Sequence, residues 1–165
     1  MKLYHGSNIE VINPEIRPKL RNLDFGAGFY TTLNESQAAE FAVKVVRRVK
    51  LYEQKSGKAI VSEYDFDFDA AKGLMVLRFK KPDEEWLDFV VANRKGGEPN
   101  KEYDIVMGPV ANDNVYEVIN LYQQGRYTKR EALERFKVKE LFSQITFKTD
   151  KAIKLLKFIK STIIK

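Results

Sequence analysis

The order of glycine, strand and helix signals in the first third of the chain restricts the fold more than any other feature. Gly26 and Gly28 lie in a loop that leads into residues 29–32, whose aromatic and β-branched side chains favour a strand. A dinucleotide-binding fold requires another order, in which the glycines join a strand to the helix that receives the phosphates. The order therefore excludes a Rossmann fold, although the two glycines resemble half of its fingerprint.

Helix and strand patterns follow each other irregularly along the rest of the chain. Apolar residues recur at helical spacing after Asn34, which predicts a helix over residues 35–50 with Asn34 as its N-cap. By the same reasoning we expect strands over residues 1–5, 59–68, 103–107 and 144–148, and helices over residues 82–93, 115–124, 128–136 and 151–164. The lysines at every third position of residues 151–160 indicate a solvated face of the last helix. The pattern lacks the regular alternation of a parallel α/β sheet, so we predict a single α+β domain over residues 1–165.

Composition narrows the classes of function. The chain has no cysteine and one histidine, which excludes disulfides, thiol catalysis and Cys- or His-rich metal sites, so we expect no metal. No segment resembles a secretion signal or a membrane span, which predicts a soluble cytoplasmic protein without membrane contacts. Residues 126–165 carry 12 basic and 4 acidic side chains. This basic region suits contact with nucleic acid, an acidic protein or a phosphate-bearing ligand, without selecting among them.

Three short motifs, far apart in the sequence, are informative as a set. They are Leu3-Tyr4-His5-Gly6-Ser7, Phe25-Gly26-Ala27-Gly28-Phe29-Tyr30 and Gln144-Ile145-Thr146-Phe147. In this order and spacing they resemble the ADP-ribosyltransferase superfamily, in the branch of diphtheria toxin and the poly-ADP-ribose polymerases. The chain is similar, over nearly its whole length, to a bacterial family of uncharacterised domains that also shares the pattern of residues 104–111. That family is suspected to contain toxins of toxin-antitoxin pairs.

The resemblance implies both a fold and a function. The fold would be a split antiparallel β-sheet flanked by helices. The function would be NAD-dependent mono-ADP-ribosylation of an intracellular macromolecule, a protein or a nucleic acid, by a toxin that a small antitoxin protein neutralises. NAD would serve as co-substrate, and cleavage of its nicotinamide glycosidic bond requires neither a metal nor a cysteine.

The resemblance also implies a role for individual residues. His5 would bind the adenosine ribose, and the backbone of Gly6 would bind the nicotinamide carboxamide. Tyr30 and Phe41 would stack on the nicotinamide ring, and Gln144 stands where polymerase-type relatives have a catalytic glutamate. The other implied nucleotide-binding residues are Arg17 and Arg21 near the diphosphate, Gly28, Ser7 and Thr31. Relatives have a serine at Ala38 that bonds the carboxamide, and here that hydrogen bond is either missing or supplied by Thr31 or Ser7.

Several of these assignments have alternatives at the sequence level. His5 could be an ordinary polar residue at a strand end, Phe41 could pack in the core, and Arg17 and Arg21 could be solvated. Asp104 could bond either the turn at Gly108 or a loop of the site.

Gln144 bears most directly on activity, because a neutral amide keeps hydrogen bonds but loses the charge that favours a cationic transition state. We therefore expect a weak catalyst without polymer elongation, which would carry out either mono-ADP-ribosylation or slow NAD hydrolysis. The alternative is a silent domain that binds NAD or another nucleotide, nucleic acid or a protein. Glu140 could supply a carboxylate from the preceding loop. An RNA 2′-phosphotransferase on the same fold would need a basic residue where Tyr30 stands.

Overall fold

The computed structural model describes residues 1–16, 23–53, 57–97, 102–109, 113–136 and 143–165. Within these residues, seven strands form one mixed sheet and five helices flank it. The strands are β1 (Lys2–Ser7), β2 (Phe29–Thr32), β3 (Ala59–Asp65), β4 (Val76–Arg78), β5 (Ile105–Pro109), β6 (Ser143–Phe147) and β7 (Lys157–Ile164). The helices are α1 (Glu35–Glu53), α2 (Glu84–Arg94), α3 (Asp113–Gln123), α4 (Lys129–Phe136) and α5 (Asp150–Ile153). The predicted α+β class is confirmed.

The strand order across the sheet is β4-β5-β6-β2-β1-β3-β7. Only the pair β4 and β5 is parallel, and the other neighbours are antiparallel. The order brings the first, second and sixth strands side by side, although more than a hundred residues separate the sixth strand from the other two. The three sequence motifs consequently lie on three adjacent strands.

Two apolar clusters cover the two faces of the sheet. The neighbours Ile105 and Val106 of β5 belong to different clusters, because successive residues of a strand point to opposite faces. Helices α2, α3 and α4 bury Trp86, Val90, Ile119 and Phe136 in one cluster, and the other contains Leu3, Phe29, Tyr64, Ile145 and Phe147. The sheet therefore has a buried side chain on each face, as a two-sided core requires.

Helix α1 begins where the sequence predicts it. The Asn34 side-chain oxygen accepts a hydrogen bond from the backbone N–H of Gln37 at 3.0 Å, which is the geometry of an N-cap. Ala38 and Ala42 are buried on the side of the helix that faces the sheet. No described helix has the length and apolarity needed to cross a bilayer.

The prediction of a helix over residues 151–164 is wrong. The chain forms one short helical turn, α5, and then strand β7, which pairs with β3 over its whole length. A lysine at every third position fits a helix. In the strand, the pairing with β3 skips Ile159, which is the extra residue of a β-bulge. The bulge lets the same spacing place Lys157 and Lys160 on one face of a strand, and the β-branched residues 162–164 favour the extended form.

Asp104 has neither of the roles that its sequence suggested. Its carboxylate is buried and accepts hydrogen bonds from the Met75 backbone N–H at 2.9 Å and the Thr149 hydroxyl at 2.7 Å, and Lys151 Nζ lies 3.0 Å away. Burial raises the pKa of Asp104, but these three partners outweigh it and hold the pKa below its ordinary value. The side chain thus ties the start of β4 to the turn that enters α5.

Candidate functional site

Strand β1 pairs very differently with its two neighbours. With β3 it forms six register pairs, from Lys2↔Asp65 to Ser7↔Ile60. With β2 it forms one, Tyr4↔Thr32, although a continued ladder would place Gly6 opposite Tyr30. The sheet is therefore split between the last residues of β1 and the first residues of β2.

The side chain of His5 bridges this split. Its Nδ1 lies 2.7 Å from the carbonyl oxygen of Tyr30. A carbonyl oxygen only accepts, so Nδ1 carries the hydrogen and Nε2 of the neutral ring is a hydrogen-bond acceptor. The ring also stacks on Phe29, with 4.4 Å between centroids and 30° between planes. Two contacts thus fix both the tautomer and the orientation of the imidazole.

Tyr30 uses its hydroxyl to close the glycine loop that precedes β2. The hydroxyl donates to the carbonyl oxygen of Gly26 at 2.5 Å and accepts from the backbone N–H of Phe25 at 3.2 Å. Gly26 has a φ of 73°, which favours glycine because a side chain would be strained there. The Tyr30 ring is half-buried against the apolar cluster of α2 to α4. Its position is therefore set at both ends, by the strand and by the loop.

Two cations that we did not predict also hold this loop. Arg94, near the end of α2, forms an ion pair with Asp24 at 2.7 Å, and both side chains are largely buried. Lys148 Nζ donates to the carbonyl oxygen of Phe25 at 2.6 Å. Lys148 directly follows the third motif, and this adjacency is the sequence feature that could have indicated its place at the site. Nothing local in the sequence connects Arg94 to a residue seventy positions earlier.

Gln144 lies on the strand next to Tyr30. In the register of β2 and β6, Gln144 is opposite Thr32, and Thr146 is opposite Tyr30. Opposite residues of an antiparallel pair share a face, so Gln144 and Tyr30 are diagonal neighbours on one face of the sheet. Gln144 Nε2 lies 3.4 Å from the hydroxyl of Thr146, so the half-buried amide is directed along β6 toward the residue opposite Tyr30.

His5 belongs to the other face of the sheet by strand alternation. Tyr4 shares a face with Thr32 and Tyr30, and His5 therefore points to the opposite face, where it meets Phe29. Its Nδ1 contacts Tyr30 at the backbone carbonyl. The structure thus places Tyr30 and Gln144 on one face of the sheet, and the His5 ring on the other face, where it bridges the split.

Gly6 and Gly28 occupy places where the structure admits no larger residue. A Cβ on Gly6 would lie 2.0 Å from the carbonyl oxygen of Ala38, so glycine is required for α1 to pack on β1. A Cβ on Gly28 would lie 2.8 Å from the carbonyl oxygen of Phe147 in β6. Gly6 therefore permits the close approach of helix α1, whereas the resemblance implied the close approach of a ligand.

The remaining predicted residues differ in how available they are. Thr31 is buried and donates its hydroxyl to the carbonyl oxygen of Ile145 at 2.9 Å, so this group is already used within the sheet. Ser7 is half-buried at the end of β1. The Phe41 side chain on α1 is 45% exposed, so it does not belong to the buried core. Arg17, Arg21 and Glu140 lie outside the described residues.

A buried carboxylate lies in the same cross-strand row as Gln144. The row runs through Thr32 and Tyr4 to Glu63 on β3. Lys2 Nζ lies 2.7 Å from Glu63 Oε1, and this contact lowers the pKa of Glu63 although burial acts in the opposite direction. Two strands, β1 and β2, lie between Glu63 on β3 and Gln144 on β6, so Glu63 stabilises the sheet and does not replace the glutamate that relatives have at Gln144.

Comparison with known proteins gives one match. A family model described as a protein of unknown function, DUF3990, matches residues 1–158, which include all three motifs. Neither the curated proteins nor the solved structures gave a match. Because the family model covers nearly the whole chain, the chain belongs to the DUF3990 family.

Proposed function

We propose that this protein is an NAD-dependent mono-ADP-ribosyltransferase, the toxin of a bacterial toxin-antitoxin pair that modifies a macromolecule in the cytoplasm. The observation that carries the proposal is that His5, Tyr30 and Gln144 lie on the adjacent strands β1, β2 and β6, with the His5 ring bonded to the Tyr30 carbonyl across the split. The resemblance of the three motifs to ADP-ribosyltransferases supplies the reaction. Its acceptor would be a protein or a nucleic acid, and its inhibitor a small antitoxin protein.

The geometry of the split supports a role for His5 in binding a sugar hydroxyl. Its Nδ1 lies 2.7 Å from the Tyr30 carbonyl oxygen, so in the neutral ring Nε2 has the acceptor chemistry that suits a sugar hydroxyl. The stack on Phe29 prevents the ring from turning. In the proposed complex, this atom accepts from the adenosine ribose of NAD.

The aromatic residues support binding of the nicotinamide ring. Tyr30 presents a half-buried ring on the face that α1 partly covers, and its hydroxyl is already satisfied within the protein. Phe41 is exposed on α1 and would supply the second aromatic surface. Each aromatic stack contributes on the order of 1 kcal/mol beyond the burial of area.

In the proposed reaction, the bond between the ribose C1′ and the nicotinamide nitrogen breaks, and its electron pair leaves with neutral nicotinamide. A nucleophilic oxygen or nitrogen of the acceptor then bonds to C1′ and loses a proton. The Gln144 amide would hold the ribose hydroxyls beside the cationic centre, but it contributes no negative charge. We therefore expect slow transfer of single ADP-ribose units.

The test is release of labelled nicotinamide from NAD by the purified protein, with and without a bacterial extract as the source of acceptor. Gln144→Ala should lower the rate at least tenfold, because the ribose would lose the amide that positions it, and misplacing a reacting group can cost on the order of a hundredfold. Gln144→Glu should raise it. Gln124→Ala, in an exposed turn, is the matched control and should leave the rate unchanged. Absence of both nicotinamide release and ADP-ribosylated product would refute the transferase.

A second candidate function is NAD binding without catalysis. The neutral amide of Gln144 and its contact with Thr146 favour this candidate, because a side chain directed along its own strand offers the ribose no charge. Calorimetry with NAD separates the two functions. Binding that His5 and Tyr30 variants weaken, together with no nicotinamide release, would indicate the binding domain.

A further inference from the structure

Strand β7 forms one end of the sheet in the part of the chain that the structure describes. It pairs with β3 on one side, and no other strand among the described residues pairs with its second side. It is eight residues long, whereas β4 at the opposite end of the sheet has three. Short edge strands prevent pairing with other chains, and a long edge presents a row of backbone donors and acceptors to a new strand. The β7 edge is thus the part of the sheet that could accept another strand.

The β-bulge at Ile159 gives this edge a defined charge pattern. Lys157 is opposite Asp65 and Lys160 is opposite Glu63, two residues apart on β3. Both lysines therefore lie on the same face of β7, although they are three residues apart in sequence. A strand added on the outer side would meet these two positive charges on one face.

The acidic residues on the inner side leave this charge incompletely neutralised. Glu63 lies closer to Lys2, at 2.7 Å, than to Lys160, at 3.7 Å. The Lys160 side chain is 61% exposed. Residues 150–165 contain five lysines and one acidic residue, Asp150. An incoming strand that carries carboxylates would therefore be attracted, whereas a second β7 would bring four lysines into one ladder and be repelled.

The edge also exposes apolar surface. Ile159 is 45% exposed and Ile163 is 54% exposed. Lysines alone would be sufficient to protect an edge from unwanted pairing. Exposed isoleucines on the same strand instead provide the area that a paired strand would bury.

We infer that β7 is a docking edge for an extended acidic segment of a partner protein. The segment pairs with the β7 backbone as an eighth strand and places Asp or Glu at alternate positions opposite Lys157 and Lys160. Its own apolar side chains cover Ile159 and Ile163. This inference does not depend on the transferase proposal.

The experiment uses a capped peptide with the sequence of β3, AIVSEYD, because β7 already accepts this acidic pattern on its inner side. Hydrogen exchange of the intact protein should slow at alternate β7 amides when the peptide is added. The neutral peptide AIVSQYN should bind at least tenfold more weakly. Lys157→Gln combined with Lys160→Gln should weaken the acidic peptide about tenfold, and the matched pair Lys81→Gln with Lys95→Gln, outside β7, should change it less than twofold.

Three other outcomes would overturn the inference. Lysine-dependent binding of a thymidine oligonucleotide, without protection of β7 amides by the peptide, would indicate a nucleic-acid contact. Protection of β7 that rises with protein concentration alone would indicate pairing between two copies. Equal binding of the two peptides, or none, would mean that the lysines only protect the edge. If the double variant does not fold, the comparison of the two peptides on the unmodified protein still decides.

Discussion

The two sides of β1 perform different tasks. On the β3 side, six residues pair in register, and Glu63 on β3 binds Lys2. On the β2 side, the ladder is limited to Tyr4↔Thr32, and the His5 ring takes the place of further backbone pairing. One strand thus has a complete ladder on one side and a gap bridged by a side chain on the other.

This difference teaches where a ligand can enter the sheet. A ligand at the β3 side would have to break backbone hydrogen bonds, each of which is expensive to leave unmade. At the β2 side, it would meet side chains that are oriented but not part of a ladder. We therefore expect substitutions on the β3 side and under α1 to lower the free energy of unfolding, and those at the split to alter NAD binding.

Gly6→Ala should have the largest effect on stability. The new Cβ would overlap the backbone carbonyl of Ala38, which can move only if α1 moves as a whole. We expect a loss of about 3 kcal/mol or more in the free energy of unfolding, measured by urea denaturation.

Gly57→Ala is the matched control for that overlap. Its Cβ would have its nearest contact 3.4 Å away, at Asn8, which a small adjustment relieves. We expect a change within about 0.5 kcal/mol. Similar losses for both glycines would show that chain stiffness, and not the contact of β1 with α1, determines the effect.

Glu63→Gln tests the β3 side of β1, where the backbone ladder is complete, and should cost about 2 kcal/mol at neutral pH, because the buried carboxylate loses its ion pair with Lys2. The close contact with the Lys2 ammonium lowers the pKa of Glu63, with burial opposing it. A carboxyl with a lowered pKa in the folded state stabilises the fold above its ordinary pKa, near 4.5, and loses this contribution as the pH falls through the folded-state value. The difference between the two proteins should therefore shrink below pH 4.5.

Exposed Glu40, on α1, provides the control for charge alone. Glu40→Gln should change the free energy of unfolding by less than about 0.5 kcal/mol at every pH. Asp104 also has a lowered pKa. It is present in the original protein and in both variants, so its contribution to the pH dependence cancels when their free energies of unfolding are subtracted. A Glu63→Gln effect that persists unchanged in acid would contradict the assigned charge contact.

The sequence predicted elements well where the signals were local. The glycine loop, the β-favouring residues of β2 and the cap at Asn34 follow each other directly, and all three are present in the structure. The same reasoning failed for β7, because three-residue lysine spacing fits both a helix and a bulged strand. Residues 157–164 form a strand because β3 offers them an edge to pair with, and this long-range partner cannot be seen in the local sequence.

The site shows the same limit. Strand order, which no periodicity reveals, places Gln144 beside Tyr30. The ion pair of Arg94 with Asp24 depends on how α2 packs against the glycine loop, so only the tertiary structure reveals it. The resemblance assigns Gly6 to a ligand, which stays a prediction, and the close contact that the structure shows at Gly6 is with α1.

Tyr30→Phe probes the loop at the split and should have a smaller effect. It removes the hydroxyl that joins Gly26 and Phe25, which should cost about 1 kcal/mol in the free energy of unfolding. The ring stays, so the proposed stacking on nicotinamide is retained. NAD affinity should fall only modestly, in contrast to Tyr30→Ala, and Tyr52→Phe on exposed α1 should change neither quantity.

The smallest change in stability should come from His5→Asn. Together with His5→Gln, this substitution distinguishes the roles of the two imidazole nitrogens. Asparagine can place its amide N–H near the position of Nδ1 and keep the bond to the Tyr30 carbonyl, whereas glutamine reaches the position of Nε2 and loses that bond. We expect the free energy of unfolding of His5→Asn to lie within about 0.5 kcal/mol of that of the original protein, and that of His5→Gln to be about 1 kcal/mol lower. NAD affinity, measured by calorimetry, should show the opposite order: a decrease of about tenfold for His5→Asn and a smaller one for His5→Gln. If both variants lose stability and affinity in parallel, the ring only holds the strands together, and the split in the sheet is a structural feature without a ligand.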